Sequence, residues 1–350
     1  MSKNFDIKKV FTNPVFIVIG ALLCCALWGS ATPFIKMGYR SMFFDGYISV
    51  QSIILFAGIR FAAAGFITIA IYSIARKKLL YPKRQSLDKI AMVAAFQTVI
   101  QYFFFYIGLA NTSGAKGTII SGSSSFFAIF ISSLIFRQEK LTVKKVVACV
   151  VGFAGIIAVN LQGLDFSMNL MGDAFVLFSA MSLAFSSVLI KIFSKNEDPV
   201  VISGYQFMLG GTVMIIGGLI AGGEIEFFDL TGAAILVYLA FLSAIAYALW
   251  GILLKFNPVS KVTIFSFMTP VFGVILTELM LPDESTVKLV NLLLSLILVC
   301  AGVFMLNYTK QSKAAETPTE ESVETPAEET VETPVEDTLE DAPTEEPVEA

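Results

Sequence analysis

Neutral polar and aromatic residues recur at helical spacing inside the long apolar runs of this chain. Gln97 and Gln101 are one turn apart, Tyr102 follows, and Phe105 lies one turn beyond Gln101. A second run carries Ser243, Tyr247 and Trp250, and a third carries Ser266 and Thr269. A fourth holds Ser121, Ser123, Ser124 and Ser125 around Gly122, and Trp28 stands mid-run near the N-terminus. Such groups suit reversible recognition of a small solute, by hydrogen bonding and ring stacking, rather than bond-making chemistry. Polar side chains inside an apolar bundle cost free energy unless they face protein or water. That cost favours a shared interior site for Gln97, Gln101, Tyr102, Tyr247 and Trp250. A Trp at the middle of a span, away from the membrane surfaces where Trp usually sits, either fills core or stacks on a solute. Ser121, Ser124 and Ser266 read equally well as small residues that let helices approach closely.

Charges within the runs are few. Arg60 is expected about seven residues from the outer end of its helix, roughly 10 Å, where its head could snorkel to the surface. Lys36 and Lys191 end their runs and read as interface anchors. Glu278 is the one carboxylate well inside a run, about one turn from Asp283 and Glu284, and its burial would suit proton coupling. Pro270 interrupts the run that holds Ser266 and Thr269, which makes it a candidate hinge.

Several chemistries are excluded. The chain has no histidine, so imidazole bases, His metal sites and His proton relays are absent. Cys24, Cys25, Cys149 and Cys300 lie in apolar runs without metal-ligand spacing and read as small packing residues. No GxxxxGK[ST] phosphate loop occurs. No enzyme activity, cofactor, metal or nucleic-acid partner is expected.

The elements that position these residues follow from composition. Apolar residues make up 56% and charged residues 15%, with a mean hydropathy of +0.77, against about 25% charged residues in soluble domains. Runs of about 20 apolar residues predict transmembrane helices, and are too long for barrel strands. Ten are expected, near 14–37, 51–75, 88–110, 115–136, 144–161, 170–192, 200–221, 231–254, 260–281 and 287–308. With the N-terminus cytoplasmic, inner segments hold 19 Lys or Arg and outer ones hold 4. This asymmetry predicts a multi-pass protein of the plasma (bacterial inner) membrane with both termini cytoplasmic.

The two halves resemble each other. KGTIISGSSSFFAIFISSLIFRQE from Lys116 aligns without a gap on KVTIFSFMTPVFGVILTELMLPDE from Lys261, at an offset of 145 that also pairs Tyr102 with Tyr247. At 146, RFAAAG from Arg60 meets QFMLGG from Gln206, and at 147, Gly155 meets Gly302. Five helices per repeat is an odd number, so the repeats are expected in opposite orientations. Inverted repeats recur in secondary transporters, with the solute held near the midplane where they meet.

ALWGSATPFIKMG in the first span, the Arg60 span, YIGLANTSGAKGTIISGSSSFFAIFISSLIFRQEKLT leading into GFAGIIAVN, and FNPVSKVTIFSFMTPVFGVILTELMLPDE together carry a family resemblance. The chain resembles EamA-type members of the drug/metabolite transporter superfamily over about 14–308. The resemblance implies a cavity lined by the third, fourth, eighth and ninth spans, and a structural or gating role for Arg60. The family pattern has proline in both the fourth and ninth spans; here Ser125 stands opposite Pro270.

The expected architecture is an all-α integral membrane protein of ten transmembrane helices in two inverted five-helix repeats. A cytoplasmic N-terminus would cover 1–13, the repeats 14–161 and 162–308, and an acidic tail 309–350. From Glu316 onward the chain has 14 Asp or Glu and no Lys or Arg, while the preceding body carries 24 basic against 14 acidic residues. ETP repeats at Glu316, Glu324 and Glu332, a composition expected to be disordered. The expected function is export of small organic solutes such as amino acids or metabolites by alternating access. The alternatives are a non-transporting receptor or scaffold, or a sugar-phosphate or nucleotide-sugar carrier. The expected partners are a small-molecule substrate and the lipid bilayer, with a homodimer left open.

Overall fold

The computed structural model describes residues 7–43, 49–163, 169–225, 229–281 and 288–307. Asp283, Glu284 and the acidic tail lie outside the described residues. Within them every regular element is helical. After a short turn at Ile7–Phe11 come α1 (Pro14–Met42), α2 (Val50–Ala75), α3 (Arg84–Ala110), α4 (Gly114–Ile135) and α5 (Val143–Val159). The second half supplies α6 (Leu170–Phe193), α7 (Pro199–Ile220), α8 (Leu230–Phe256), α9 (Val259–Met280) and α10 (Leu289–Asn307). Nine of these ten, among the described residues, are long and apolar enough to cross a membrane. The other, α5, has 17 residues, a length of about 25 Å at 1.5 Å per residue.

Helix starts are written locally in the sequence. Asn13, Ser49, Ser113, Thr142, Asn169, Asp198 and Asp229 each accept a backbone N–H of the first turn that follows, beginning α1, α2, α4, α5, α6, α7 and α8. Pro14 and Pro199 occupy first-turn positions where a missing N–H costs nothing. Pro258 leaves α9 without a cap of its own. Its cap comes from the first repeat: Glu139 accepts the Ser260 backbone N–H at 3.0 Å and also the Ser260 hydroxyl.

Packing follows the repeat. α2 lies along α7 and α5 along α10, while α1 packs on α8 and α9 and α6 packs on α3 and α4. Exchanging the two halves maps this pattern onto itself. Small residues permit the like-with-like pairs: a Cβ on Gly65 would meet the Gly204 carbonyl oxygen at 2.5 Å, and one on Gly302 would meet that of Ala148 at 2.6 Å.

The remaining helices are interrupted. α3 contains a π-helical stretch at Ala94–Ile100, and α4 breaks at Ser123 and ends in another at Ile131–Ile135. In α9, residues Ile264–Phe267 wind as a 3-10 helix just before Pro270, whose ring nitrogen cannot donate to the Ser266 carbonyl.

Candidate functional site

One interrupted helix, α3, meets four unbroken ones around a cluster of rings. Trp28 is the middle residue of α1, and its indole packs edge-on against Tyr247 at 5.1 Å and Trp250 at 5.0 Å. Tyr247 also meets Phe207 edge-on at 4.8 Å. Phe207 stacks on Phe61 at 5.1 Å with the rings only 5° apart, and Phe61 lies 4.5 Å from Tyr102. The circuit closes where the hydroxyls of Tyr102 and Tyr247 share a hydrogen bond of 3.0 Å. Two links, Tyr102 with Tyr247 and Phe61 with Phe207, join residues that correspond between the two repeats. The cluster therefore straddles the repeat interface.

Polar groups without partners occur on the helices that supply the rings. Trp28 Nε1, Arg60 Nε, Gln97 Oε1 and Gln101 Oε1 are buried and have no hydrogen-bond partner in the protein. Gln101 precedes Tyr102, and Gln97, 1% exposed, lies one turn earlier on the π-helical stretch. π turns are frequent at functional sites because the extra residue per turn re-aims side chains. Gln206 Nε2, on the residue before Phe207, is orphaned as well. Buried polar groups are nearly always satisfied, so these orphans on the ring-bearing helices need an explanation.

Arg60 departs from the sequence expectation. α2 begins at Val50, ten residues before it, about 15 Å at 1.5 Å per residue. The side chain is 5% exposed and does not snorkel. Its guanidinium carbon lies 4.3 Å from the centre of the Phe61 ring, and its charge acts on the phenols of Tyr102, Tyr106 and Tyr247. Its repeat mate Gln206 is fully buried and accepts a 2.7 Å hydrogen bond from Thr98.

Other expected residues stand apart from the rings. Ser125 Oγ bonds Ser266 Oγ at 2.6 Å and donates to the Thr263 carbonyl oxygen at 2.9 Å, so α4 and α9 touch at their breaks. Ser266 thus meets Ser125, the residue opposite Pro270, rather than its repeat mate Ser121, whose buried hydroxyl has no partner. Ser124 is buried nearby. Glu278 is half-buried in the last turn of α9, away from the cluster. Lys191 donates to the carbonyl oxygens of Lys255 and Asn257, tying α6 to the end of α8. Phe61 and Phe207 escaped the sequence reading, although both lie in the matched RFAAAG and QFMLGG segments.

One face of the bundle is held by polar contacts between the repeats. Arg76 pairs with Asp198, the Lys83 backbone N–H donates to Glu197 at 3.0 Å, and Glu139 takes Lys145 at 2.7 Å beside Ser260. Burial would push the Glu139 carboxyl up, but hydrogen bonds from Lys145 and Ser260 outweigh it and hold the group below the ordinary carboxylate range.

Comparison with known proteins decides the family. The model of the EamA-like transporter family matches twice, over residues 15–161 and 170–308. The chain belongs to the EamA-like transporter family. It is 24% identical to an uncharacterized transporter of Synechocystis over 80% of this chain and 89% of that one. A WAT1-related chloroplastic protein of Arabidopsis thaliana is 22% identical over 79% of this chain and 68% of its own. Among solved structures, a crystal structure described only as that of a protein superposes with a TM-score of 0.68. It is 16% identical and covers 83% of this chain and 96% of its own, a likeness of fold. As an EamA-like chain with several membrane-length helices, it is a multi-pass membrane protein.

Proposed function

We propose that this EamA-like protein is a secondary exporter that moves small organic solutes through a central site by alternating access. The observation that carries the reading is the coincidence of an aromatic circuit built by both repeats with four buried polar atoms that the protein leaves unpartnered. A passing solute would supply their partners, and the rings would supply apolar contact. Trp28, Gln97, Gln101, Tyr102, Tyr247 and Trp250 form the binding surface on this reading. Ser121, Ser124 and Ser266 face the α4–α9 crossing, and Pro270 and Glu278 serve gating and coupling along α9.

All ten helices cross the bilayer on this reading, α5 among them, since about 17 residues is the lower limit for a span. The repeats 14–161 and 162–308 then run in opposite directions. The excess of basic residues on the face carrying Arg76, Lys83 and Lys145 supports a cytoplasmic location for that face and both termini. A bacterial inner membrane is the setting this implies.

The test is solute flux in proteoliposomes of the purified protein with a mixed pool of amino acids and metabolites, with and without a pH gradient. Protein-dependent flux, lost in Gln101→Ala or Trp250→Ala protein that still folds, is the expected result. Flux unchanged in both variants refutes the site, and no flux from a broad pool refutes the transporter.

A further inference from the structure

We infer that the solute is a monoanion: a carboxylate whose charge is held by Arg60 and whose apolar or aromatic body lies among the rings of Trp28, Phe61, Phe207, Tyr247 and Trp250. This rests on the proposed central site and specifies what the site takes.

The charge balance is the first argument. Arginine stays protonated in proteins, and an uncompensated guanidinium at mid-span is among the most costly groups a membrane protein can hold. Arg60 is 5% exposed, its Nε has no partner, and no carboxylate among the described residues pairs with it. The face of Phe61 and the Tyr102 hydroxyl, to which the guanidinium hydrogen-bonds, are both neutral and compensate only part of the charge. A ligand carboxylate would complete it with the paired, charge-assisted hydrogen bonds that a guanidinium forms best.

The second argument is what surrounds that charge. Tyr39, Tyr102, Tyr106 and Tyr247 feel the guanidinium, and none of them brings a negative charge at neutral pH. Each described acidic side chain lies in a loop or within two turns of a helix end, so none offers a partner to a ligand ammonium group. With one positive charge and neutral neighbours, the site balances a single negative charge. A dianionic phosphate would leave one charge unmatched, and a cation would be repelled. Trp28 Nε1 is a further orphaned donor suited to a carboxylate oxygen.

The experiment uses a property of the composition. The chain has two tryptophans, and both, Trp28 and Trp250, lie in the ring circuit. Intrinsic tryptophan emission of the full-length protein in nanodiscs therefore reports directly on the site. The probes are 3-phenylpropionate, its neutral amide, 2-phenylethylammonium and zwitterionic phenylalanine. The anion is expected to change the emission at concentrations at least about tenfold lower than the other three. Arg60→Gln should weaken the anion by about 10- to 100-fold and leave the amide unchanged. Arg60→Lys, which keeps the charge and loses the planar fork, should retain the ranking with weaker binding; it decides the matter if Arg60→Gln does not fold.

Equal or tighter binding of the amide, the cation or the zwitterion overturns the inference, as does undiminished anion binding in folded Arg60→Gln protein. Absence of emission change with all four probes overturns it as well. In each case flux of the mixed pool in the same preparation decides the transporter reading separately: retained flux leaves the transporter standing with a different ligand class, and absent flux removes both.

Discussion

The α2–α7 seam permits a sharp test, because two glycines on one helix meet opposite surroundings. A Cβ added at Gly211 would lie 2.4 Å from the Ala62 backbone nitrogen and 2.8 Å from the Gly58 carbonyl oxygen, whereas one at Gly217 would have nothing within 4 Å. Ordinary Cβ contacts begin near 3.4 Å, so Gly211→Ala must force the two backbones apart by about 1 Å. No flexible side chain can yield there. Overpacking of this kind costs about 1–3 kcal/mol, and alanine returns up to about 1 kcal/mol through its better helix propensity. The expected net loss is about 1–2 kcal/mol, against a gain of about 0.5–1 kcal/mol for Gly217→Ala. The variants should therefore differ by about 2–3 kcal/mol, or roughly 5–10 °C in melting temperature. Scanning fluorimetry of the two tryptophans in detergent measures it without a label. If the two variants melt together, or Gly211→Ala melts higher, the seam is not the close contact argued here.

Glu139→Ala removes the borrowed cap of α9 and leaves Lys145 and Ser260 without their partner, at an expected cost of about 2–4 kcal/mol in thermal or chemical unfolding. Because folding holds the Glu139 carboxyl below its ordinary range, its contribution is complete above that range. It is lost as pH falls through the depressed folded value, so the wild type should lose more stability below about pH 4 than Glu139→Ala does. Tyr102→Phe and Tyr247→Phe should each cost about 1 kcal/mol, and the double variant less than their sum, a coupling of about 1 kcal/mol read from a double-mutant cycle.

Much of this arrangement was legible before any coordinates, for identifiable reasons. Helix existence follows from apolar run length; the capping Asn, Asp, Ser and Thr residues that fix most helix starts were not read from the sequence. The 145-residue offset pairs Tyr102 with Tyr247, and these are the two phenols that share a hydrogen bond. Symmetry explains this, since a residue lying on the repeat axis must meet its own counterpart. Off the axis the same offset misleads: Ser121 and Ser266 correspond in sequence, but Ser266 bonds Ser125. Arg60 was placed too near the surface, although the expected start of α2 was within one residue of the observed one, because its burial depends on α7 and on rings contributed by other helices. The π turns in α3 and α4 have no local signal, since apolar residues accept α and π winding alike. Of the lining helices implied by the family resemblance, the third and eighth supply rings to the cluster, and α1, α2 and α7 supply the others.

The division between seamed and interrupted helices bears on how the proposed transport cycle could run. α2–α7 and α5–α10 join the repeats through backbone contacts so close that sliding either pair would bring main-chain atoms into collision. Those pairs are suited to persist as the frame in every state. α3, α4 and α9 already contain π or 3-10 turns, where backbone hydrogen bonds can shift register at less cost than in an unbroken α-helix. They also carry Gln97, Gln101 and the Ser125–Ser266 contact. A displacement of α9 against α4 would break two serine hydrogen bonds at the crossing, each worth about 1 kcal/mol net. Glu139 binds the start of that same α9 to the α4–α5 connection, so releasing it is the larger cost of opening that face. On the proposed cycle, Glu139→Gln should shift the balance toward exposure of this face. Faster modification of a cysteine placed at Ser260 in the Glu139→Gln background than in a background with Glu139 intact would not discriminate, because Ser260 is itself a partner of the carboxylate. Val262, fully buried one turn into α9 and not bonded to Glu139, is the better reporter. With the four native cysteines replaced, a Val262→Cys thiol should react several-fold faster when Glu139 is Gln, and an unchanged rate would place the latch elsewhere.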